Sequence, residues 1–368
     1  MGRIIITIFF FLLACSSQSW ALDQIIRPYQ STRSAGMGGV RISTGLYDEN
    51  FFNNPARVTA NPESKFTLLD LMPIETSAST ISSIKTILGN SNPISAIAST
   101  AGSNLHSRAQ AIIPAYYRAA IEDRKFALAI GLIAGLQVDS ILRQSYQLGL
   151  GILTDVSPTI TLGRKLLSDD ALSIGLSVRL NYRMGSEPTY SLLNYFQGQS
   201  LPLTSLTSDG SMINGDFGLT YRITKIWDFD LTAAGAIQNV MGGTYSPTLF
   251  SLFKQGSPPP AQARSYGVGF SLSRAEWGKF GLTSFAIEAT DVLNNPNGSV
   301  FKMLHVGAET RWKSLILRAG LNQGYWTAGF GLDAHYITLN LATYGEEMGF
   351  NTGDLEDRRY AINLGLHI

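Results

Sequence analysis

The sequence predicts an all-β fold: a transmembrane β-barrel of about fourteen antiparallel strands, preceded by an N-terminal hatch or plug. The chain has 368 residues, of which only 15% are charged and 36 are glycine, an unusual composition for a helical soluble protein. From about residue 124 onward, apolar residues alternate with polar or small ones. This period of two is typical of strands with one apolar and one polar face. No segment of comparable length follows the helical period.

The last eleven residues, 358–368, show this alternation most clearly. One face carries Tyr360, Ile362, Leu364, Leu366 and Ile368, and the other carries Arg359, Ala361, Asn363, Gly365 and His367. A chain that ends on such a strand resembles bacterial outer-membrane β-barrel proteins, in which the last strand is the insertion signal. The resemblance implies the barrel-assembly machinery as a partner. We expect this strand to close the barrel against the first one.

Thirteen earlier strands bring the predicted number to fourteen. They are placed at 64–72, 108–118, 124–136, 143–165, 171–183, 213–223, 229–239, 264–273, 281–290, 301–312, 314–322, 325–333 and 335–344. Residues 143–165 could be two strands, but the parity of their apolar residues is unbroken. We therefore interpret them as one strand with a bulge near Pro158, since proline cannot donate to the ladder.

The lengths of the connections support an even number of strands. Long connections, at 73–107, 184–211, 241–263 and 345–357, alternate with short ones. Outer-membrane barrels have short periplasmic turns and longer external loops. Both ends of the barrel are therefore predicted to lie in the periplasm, and the localisation to be the bacterial outer membrane.

Residues 1–21 are predicted to be a signal peptide. A positive start precedes a short apolar run at 4–14, and Ser19 and Ala21 supply the small residues that a signal peptidase reads. Cys15, the only cysteine, lies in a Leu-Leu-Ala-Cys sequence that resembles a lipoprotein box, so its lipidation is the alternative. Cleavage after Ala21 would leave no cysteine and would exclude disulfide, thiolate–metal and cysteine-nucleophile chemistry.

Residues 22–63, before the first strand, contain two turn-rich stretches. The first is Ser34-Ala-Gly-Met-Gly-Gly, which includes Gly36, Gly38 and Gly39, and the second is Asn54-Pro55-Ala56. The glycines do not meet the spacing of a dinucleotide-binding loop, and no strand precedes them. They are more simply explained by a tight turn with positive φ angles.

Together the two stretches resemble the N-terminal hatch of the outer-membrane long-chain fatty-acid transporter (FadL-like) family. Shuttle proteins of type IX secretion and conjugation-associated TraF-like proteins begin similarly. The resemblance implies that residues 22–63 form a hatch inside a barrel of residues 64–368. The hatch residues that it implies are Gly36, Gly38, Gly39, Asn54, Pro55 and Ala56. It also implies passive uptake of a hydrophobic, fatty-acid-like compound, which external loops capture and pass to a pocket above the hatch.

Three long loops carry apolar clusters. Ile81, Ile84, Ile87 and Leu88 have helical spacing, Leu192, Leu193, Tyr195 and Phe196 follow in the second loop, and the third contains Leu249, Phe250, Leu252 and Phe253. The first cluster fits a short helix that caps the barrel rim, or a groove for an apolar ligand. Apolar clusters in external loops indicate either a binding surface or packing between loops, and both interpretations stay open.

Charged residues fall on the polar parity of the strands and are predicted to face the lumen. They are Arg179, Arg183, Asp216, Glu288, His305, Glu309, Arg311, Arg318 and Arg359. Paired charges that brace the lumen and hold the hatch are the simpler interpretation, because an unpaired buried charge is costly. The alternative is a constriction that selects permeants. Aromatic residues near strand ends are predicted to form interfacial girdles: Tyr182, Trp227, Trp277, Trp312, Tyr344 and Tyr360.

The sequence indicates no enzyme, cofactor or metal site. None of the four histidines has a partner at zinc-binding spacing, and no Gly-x-Ser-x-Gly elbow occurs. The net charge of +1 gives no reason to expect nucleic acid as a partner. Outer-membrane lipid and a hydrophobic small molecule are the expected partners. Two alternatives stay open: an outer-membrane binding or assembly protein of a secretion or conjugation system that holds a protein partner, and a water-filled porin, which the plug-sized N-terminal segment disfavours.

Overall fold

The structure is a computed structural model that describes residues 29–368 except 90–98, 100–101, 121–124, 143–146, 168–169, 192–207, 248, 254–257, 294–298, 335 and 350. The predicted signal peptide, Cys15 and the apolar cluster 192–196 therefore lie outside the described residues.

Fourteen antiparallel strands form one closed sheet, which confirms the predicted fold class. In chain order, strands β1 to β14 are Lys65–Ser77, Asn104–Arg118, Phe126–Leu142, Gln147–Leu166, Leu172–Ser186, Asp209–Ile226, Phe229–Gln238, Ser265–Arg274, Thr283–Thr290, Leu304–Trp312, Leu315–Asn322, Tyr325–Asp333, Ile337–Glu347 and Glu356–His367. Each strand pairs with its sequence neighbours, and β14 pairs with β1 to close the ring. A short strand, Thr189–Ser191, extends the pairing along the start of β4.

The period of two decides which side chains face lipid and which face the lumen. In β5, Leu176 and Val178 are 52% and 50% exposed, whereas Ser177 and Arg179 are 0% and 2% exposed. Strand β14 alternates in the same way along its whole length, with its polar side chains buried. Outward apolar and inward polar side chains are what a barrel needs in a membrane.

The connections place the two ends of the barrel. Short connections at 167–171, 227–228 and 313–314 lie at one end, and the long ones at 78–103, 187–208 and 239–264 lie at the other. The short-turn end is periplasmic by the usual rule for such barrels. Two external connections are short as well, at 143–146 and 323–324.

The prolines of the strands test two predictions: that residues 143–165 form a single strand, and that this strand bulges near Pro158. Strand β4 is a single strand, as interpreted, but the expected bulge near Pro158 is wrong. On the β3 side, Pro158 pairs with Leu132 without any break in register. On the β5 side, residues 157 and 158 have no paired residue, so the N–H group that proline lacks is not needed there. Register shifts occur instead around Pro73 in β1 and Pro114 in β2. There the missing N–H interrupts the pairing on a strand that must bond on both sides.

Short helices occupy the hatch and the external end. Helix α1 spans Thr32–Gly36, α2 spans Asp48–Phe51, and a 3₁₀ helix spans Pro55–Ala60. Helix α3, Ala78–Gly89, follows β1, and a second 3₁₀ helix spans Val300–Met303. Within the described part of the chain, no helix is long and apolar enough to cross a membrane.

The predicted aromatic girdles hold with one exception. Trp227, Trp277 and Trp312 are exposed at the periplasmic end, and Tyr360 is exposed on the outer face of β14. The prediction for Tyr344 was wrong. Tyr344 lies inside the lumen, where its hydroxyl donates to the Glu75 carboxylate at 2.9 Å. Its position in β13 has the inward parity, which the sequence analysis overlooked because aromatic residues near strand ends are so often interfacial.

Leu176→Arg tests the orientation of the barrel wall. Leu176 lies midway along the apolar face of β5, so arginine there should cost about 2–4 kcal/mol of unfolding free energy, as a charge at the bilayer midplane does. Tyr221→Arg, on the outer face near the periplasmic end, should cost about 0–1 kcal/mol. Urea unfolding in lipid vesicles measures both, and equal costs would contradict the assigned depths.

Candidate functional site

Residues 29–59 lie buried or partly buried inside the barrel, and the first half of this segment turns sharply at two glycines. Ser31 caps α1 by accepting from the Ser34 N–H at 2.9 Å. Gly38 and Gly39 then have φ angles of 70° and 84°. A Cβ on Gly38 would overlap the backbone of Val306 and Leu321 in the wall, so both the conformation and the close contact require glycine.

The wall supplies hydrogen bonds to this turn. The Gly38 N–H donates to the Thr327 hydroxyl at 3.0 Å, and that hydroxyl donates to the Gly36 carbonyl at 3.0 Å. The ring of His305 lies 3.0 Å from the Gly38 carbonyl through Nδ1, which must therefore carry the proton. An irregular backbone buried in a barrel has no water to bond, so such partners are needed.

Glu288 holds the next three residues of the hatch. Its carboxylate accepts the backbone N–H groups of Arg41 at 2.7 Å, Ile42 at 2.9 Å and Ser43 at 2.6 Å. It also accepts the Ser43 hydroxyl at 2.7 Å. Glu288 was predicted only as a lumen charge, but here it binds the hatch backbone directly. Charge-assisted bonds of this kind are stronger than neutral ones.

The Asn54-Pro55-Ala56 motif connects the two halves of the hatch with the wall. Asn54 caps the 3₁₀ helix by accepting from the Ala56 N–H at 3.1 Å. Its amide donates to the Ile42 carbonyl at 2.8 Å and to the Leu219 carbonyl of β6 at 3.5 Å. Pro55 occupies the first helical position, where its missing N–H costs nothing.

Glycines on the inner face of the wall let the hatch backbone come very close. A Cβ on Gly175 in β5 would overlap Pro55 and Ala56, and one on Gly218 in β6 would overlap Asn54. Further wall glycines that face the hatch in this way are Gly163, Gly267, Gly307, Gly320 and Gly329. The hatch therefore packs closely against β4, β5, β6, β8, β10, β11 and β12, and its backbone meets the wall directly at Gly175, Gly218, Gly307, Gly320 and Gly329.

An ion-pair chain fastens α1 to the wall. The Arg33 guanidinium donates two bonds to the Glu309 carboxylate, at 2.9 Å and 3.0 Å. Arg318 donates to the same carboxylate at 2.5 Å, and Arg33 also lies 3.4 Å from Glu49. Glu309 is thus flanked by one cation of the hatch and one of the wall.

The other predicted lumen charges pair within the wall. Arg179 binds Asp216, and Arg183 binds Asp155 at 2.7 Å. Arg359 binds Glu346 at 2.7 Å and Asp357 at 2.8 Å. Arg311 lies at the periplasmic mouth, partly exposed, and pairs with Asp333.

One charged cluster was missed by the sequence analysis. His106 lies 2.8 Å from Glu75 and 2.5 Å from Asp139, with one ring nitrogen on each carboxylate. The predicted strands ended too early at the external side, which left Glu75 and Asp139 in loops. Continuing the inward parity of β3 by a few residues would have found Asp139, whereas the register shift around Pro73 changes the parity of β1 before Glu75.

A small cavity lies between the hatch and the wall. The cavity enclosed between the hatch and the wall has a volume of about 10 Å³ and is lined by polar groups that include Gln30, Arg41, Asn322 and Glu346. That is room for about one water molecule.

A groove with both apolar and polar lining residues lies at the external end, outside the charged lumen. It has a volume of about 510 Å³ and is lined by Ser211, Met212, Ile213, Met241, Gly242, Gly243, Thr244, Ser246 and Leu249. Ile213 belongs to the outward face of β6, and Met241 and Leu249 are 69% and 57% exposed. The groove thus continues the apolar outer surface of the barrel.

Asp209 holds the loop that forms this groove. Its carboxylate accepts the Ser251 hydroxyl at 2.7 Å, the Leu252 N–H at 2.5 Å and the Tyr182 hydroxyl at 3.0 Å. The Phe250 ring packs edge-on against Tyr182, with 5.4 Å between centroids. The exposed side chains of Leu249, Phe250, Leu252 and Phe253 are therefore held in place by a polar anchor.

The closed barrel with its apolar outer face defines the class: an outer-membrane β-barrel. No model of a known protein family and no curated protein sequence matches the chain. Solved structures match it over most of its length. The CymD monoaromatic hydrocarbon channel is 13% identical over 92% of this chain and 96% of that chain, with a TM-score of 0.52.

Two further structures are similar at lower TM-scores. The Ralstonia pickettii toluene transporter TbuX is 12% identical over 93% of this chain and 98% of its own, with a TM-score of 0.49. The Pseudomonas putida toluene transporter TodX is 15% identical over 92% and 97%, with a TM-score of 0.43. The likeness to CymD shows a shared fold, which agrees with the resemblance drawn from the sequence.

Gly175→Ala tests the backbone contact between hatch and wall. The new methyl group would overlap Pro55 and Ala56, so overpacking should lower the unfolding free energy by about 1–3 kcal/mol. Gly235→Ala is the matched control, because Gly235 lies on the outer face with its nearest neighbouring atom 3.8 Å away. Urea unfolding compares the two, and equal stability would contradict the contact.

Glu309→Gln tests the ion-pair chain. It would leave Arg33 and Arg318 buried without their carboxylate, which should cost about 3–5 kcal/mol. Asp333→Asn removes the partly exposed partner of Arg311 and should cost no more than about 1 kcal/mol. Urea unfolding measures the loss of unfolding free energy in both variants. An equally small loss in Glu309→Gln and Asp333→Asn would show that Glu309 does not hold the hatch.

Proposed function

We propose that this chain is an outer-membrane channel for the passive uptake of small hydrophobic compounds. The observation that carries the proposal is the groove at the external end, where the exposed Met241 and Leu249 lie in the loop that Asp209 anchors. The fold supports it, since CymD, which shares the fold, is described as a monoaromatic hydrocarbon channel. A non-enzymatic role agrees with the same likeness.

The groove suits a hydrophobic ligand for a physical reason. The apolar side chains of Met241 and Leu249 are exposed to water there, and a hydrophobic compound that covers them would remove apolar surface from water. Met212, Met241 and Leu249 line it, and methionine adapts to ligands of different shape. A hydrophobic compound would leave the water there before it meets the charged lumen.

The N-terminal residues that lie buried inside the barrel argue against a water-filled porin. Ion pairs brace the external half of the lumen, and the enclosed cavity beside the hatch is only about 10 Å³. Passage through the barrel therefore requires a rearrangement of the hatch. We propose that Glu288 and Glu309 are the wall residues that fix the hatch in place. Asn54 is the residue that connects the two halves of the hatch.

The remaining partners follow from the barrel. Lipid of the outer membrane would contact the apolar outer face, and the barrel-assembly machinery would recognise β14. Neither partner is needed for the uptake itself. A protein partner, as in the secretion- and conjugation-associated alternative, would instead bind the external loops.

Analysis of lipid and small molecules bound to the purified protein tests the proposal. Mass spectrometry should find a hydrophobic compound retained through mild detergent extraction, and cells that produce the protein should take up toluene faster than cells that do not. A co-purified protein without any bound hydrophobic compound, together with unchanged toluene uptake, would favour the alternative function.

The groove can be tested by the double variant Met241→Gln with Leu249→Gln. Each glutamine replaces an apolar side chain that would contact the ligand, and each lost contact should weaken ligand binding by about 1–3 kcal/mol. The initial rate of toluene uptake should therefore fall about fivefold or more. Leu355→Gln is the control, since Leu355 is 44% exposed in another external loop. An equal loss in both variants would show a general effect of loop polarity instead of a specific groove.

A further inference from the structure

Helix α3 holds the barrel with polar side chains and exposes an apolar stripe. The helix follows β1 directly and packs against β1, β2 and β14. Ile81, Ile84 and Leu88, spaced three and four residues apart, form the stripe and are 37%, 51% and 81% exposed. Ser83, which lies off this stripe, is only 5% exposed. A surface helix of a water-soluble protein has the reverse arrangement.

Hydroxyl groups fasten the start of α3 to the edge of β2. The Thr80 hydroxyl accepts the His106 N–H at 2.9 Å and donates to the His106 carbonyl at 3.1 Å. The Ser77 hydroxyl also accepts the His106 N–H, at 3.2 Å, and the Ser79 hydroxyl donates to the Asn104 carbonyl. These main-chain groups lie beyond the last residue of β2 that pairs with β1, so they need other partners. The bonds fix the helix and leave its apolar stripe uncovered.

The register of β1 and β14 places the start of α3 at the level of the external aromatic girdle. Tyr360, which faces outward on β14, pairs with Thr76, two residues before the helix. Arg358 lies two residues closer to the external end of β14, with its guanidinium 4.2 Å from the centre of the Trp326 ring. Tyrosine and tryptophan mark the membrane–water interface in such barrels. Helix α3 therefore begins where the lipid-facing surface ends.

The stripe continues the apolar outer face of the wall. Ile74 of β1 and its partner Ile362 of β14 lie just below α3 and are 49% and 41% exposed. The helix has no acidic residue and one cation, Lys85, which is exposed beside the stripe. An apolar face next to a lysine is typical of a helix that lies in the plane of a membrane interface, where the ammonium reaches the headgroups.

We propose that α3 is an interfacial helix, which inserts Ile81, Ile84 and Leu88 among the acyl chains of the external leaflet and places Lys85 at the phosphate groups of its lipids. The partner that covers the stripe is thus membrane lipid. Burial of the three side chains among acyl chains removes their apolar surface from water.

This surface is separate from the groove proposed for the transported compound. Helix α3 lies over β14, β1 and β2, whereas the groove lies at β6. The insertion therefore goes beyond uptake and does not depend on it. It ties the first external loop to the membrane beside the β1–β14 seam that closes the barrel.

Quenching of single fluorescent labels tests the insertion. Ile84→Cys and Ser82→Cys, each in a Cys15→Ser background, carry the only thiol of the chain. Two residues correspond to about 200° around a helix, so the two labels lie on opposite sides of α3. Each thiol is labelled with a nitrobenzoxadiazole fluorophore. The protein is reconstituted in vesicles of phosphatidylethanolamine and phosphatidylglycerol that include lipids with a nitroxide on the acyl chain.

The label at position 84 should be quenched by the lipid nitroxide and protected from iodide in the water, and the label at position 82 should show the opposite. The ratio of lipid quenching to iodide quenching should be at least about fivefold higher at position 84, since the apolar face of such a helix lies about 5–10 Å into the boundary between headgroups and acyl chains. Leu176→Cys, on the outer face of β5, gives the reference ratio for a label in lipid.

A further variant tests whether the stripe drives the insertion. Ile81→Ser together with Leu88→Ser, added to Ile84→Cys, removes the two other apolar side chains of the stripe. The ratio at position 84 should then fall to that at position 82. Heat-dependent migration in detergent gels shows that the barrel is folded in each variant.

Three outcomes would overturn the proposal. Equal ratios at positions 84 and 82 would show that α3 stands in water. Protection of position 84 from iodide without quenching by the lipid nitroxide would show that protein covers the stripe. A high ratio that persists after both serine substitutions would show that the stripe does not hold the helix in the membrane.

Discussion

The structure depends on one constraint: an irregular segment of backbone lies inside a membrane barrel, where its N–H and C=O groups cannot bond to bulk water. Each of these groups must be satisfied by the segment itself or by the wall. This explains why Glu288 receives three consecutive N–H groups and why Thr327 bonds to the hatch on both sides of Met37. It also explains the wall glycines, because hydrogen bonds to a backbone need close approach. The polar lumen is thus a binding surface for the hatch.

Charge follows from the same constraint. Cations and anions inside the barrel occur next to each other, as in Arg179–Asp216 and Arg183–Asp155, since an unpaired charge there would be costly. The external half of the lumen is consequently a poor environment for a hydrophobic compound. The groove at β6 lies outside these charge pairs, so the proposed site of ligand capture is separated in space from the hatch.

The sequence predicted the barrel well because a period of two is a local property that each strand shows independently. The strand number, the direction of β14 and the inward position of Arg359 all followed from it. The partners of the lumen charges could not be predicted, because they depend on register between strands far apart in sequence. Glu288 shows this: its parity predicted an inward carboxylate, but nothing in the sequence indicated that its partners would be backbone groups of residues 41–43.

Strand ends were the weakest part of the sequence prediction, with consequences for the site. The external ends of β1 and β3 are polar and break the apolar alternation, so Glu75 and Asp139 were assigned to loops. The Asn54-Pro55-Ala56 motif was recognised by resemblance alone. Its physical role, a cap that also bonds to Ile42 and Leu219, needed the three-dimensional arrangement.

The two halves of the hatch are held by different kinds of interaction, and this difference decides which half can move. Residues 31–43 are held by Glu288 and Glu309 through charge-assisted bonds whose loss would leave buried charges unpaired. Residues 48–60 are held by aromatic packing of Phe51 and Phe52, by glycine contacts and by neutral hydrogen bonds such as that from the Gln238 amide to the Phe52 carbonyl. Apolar contacts can be exchanged for contacts with a hydrophobic ligand at little cost, whereas buried ion pairs cannot. The second half is therefore the part of the hatch that a hydrophobic compound could displace while the first half stays in place.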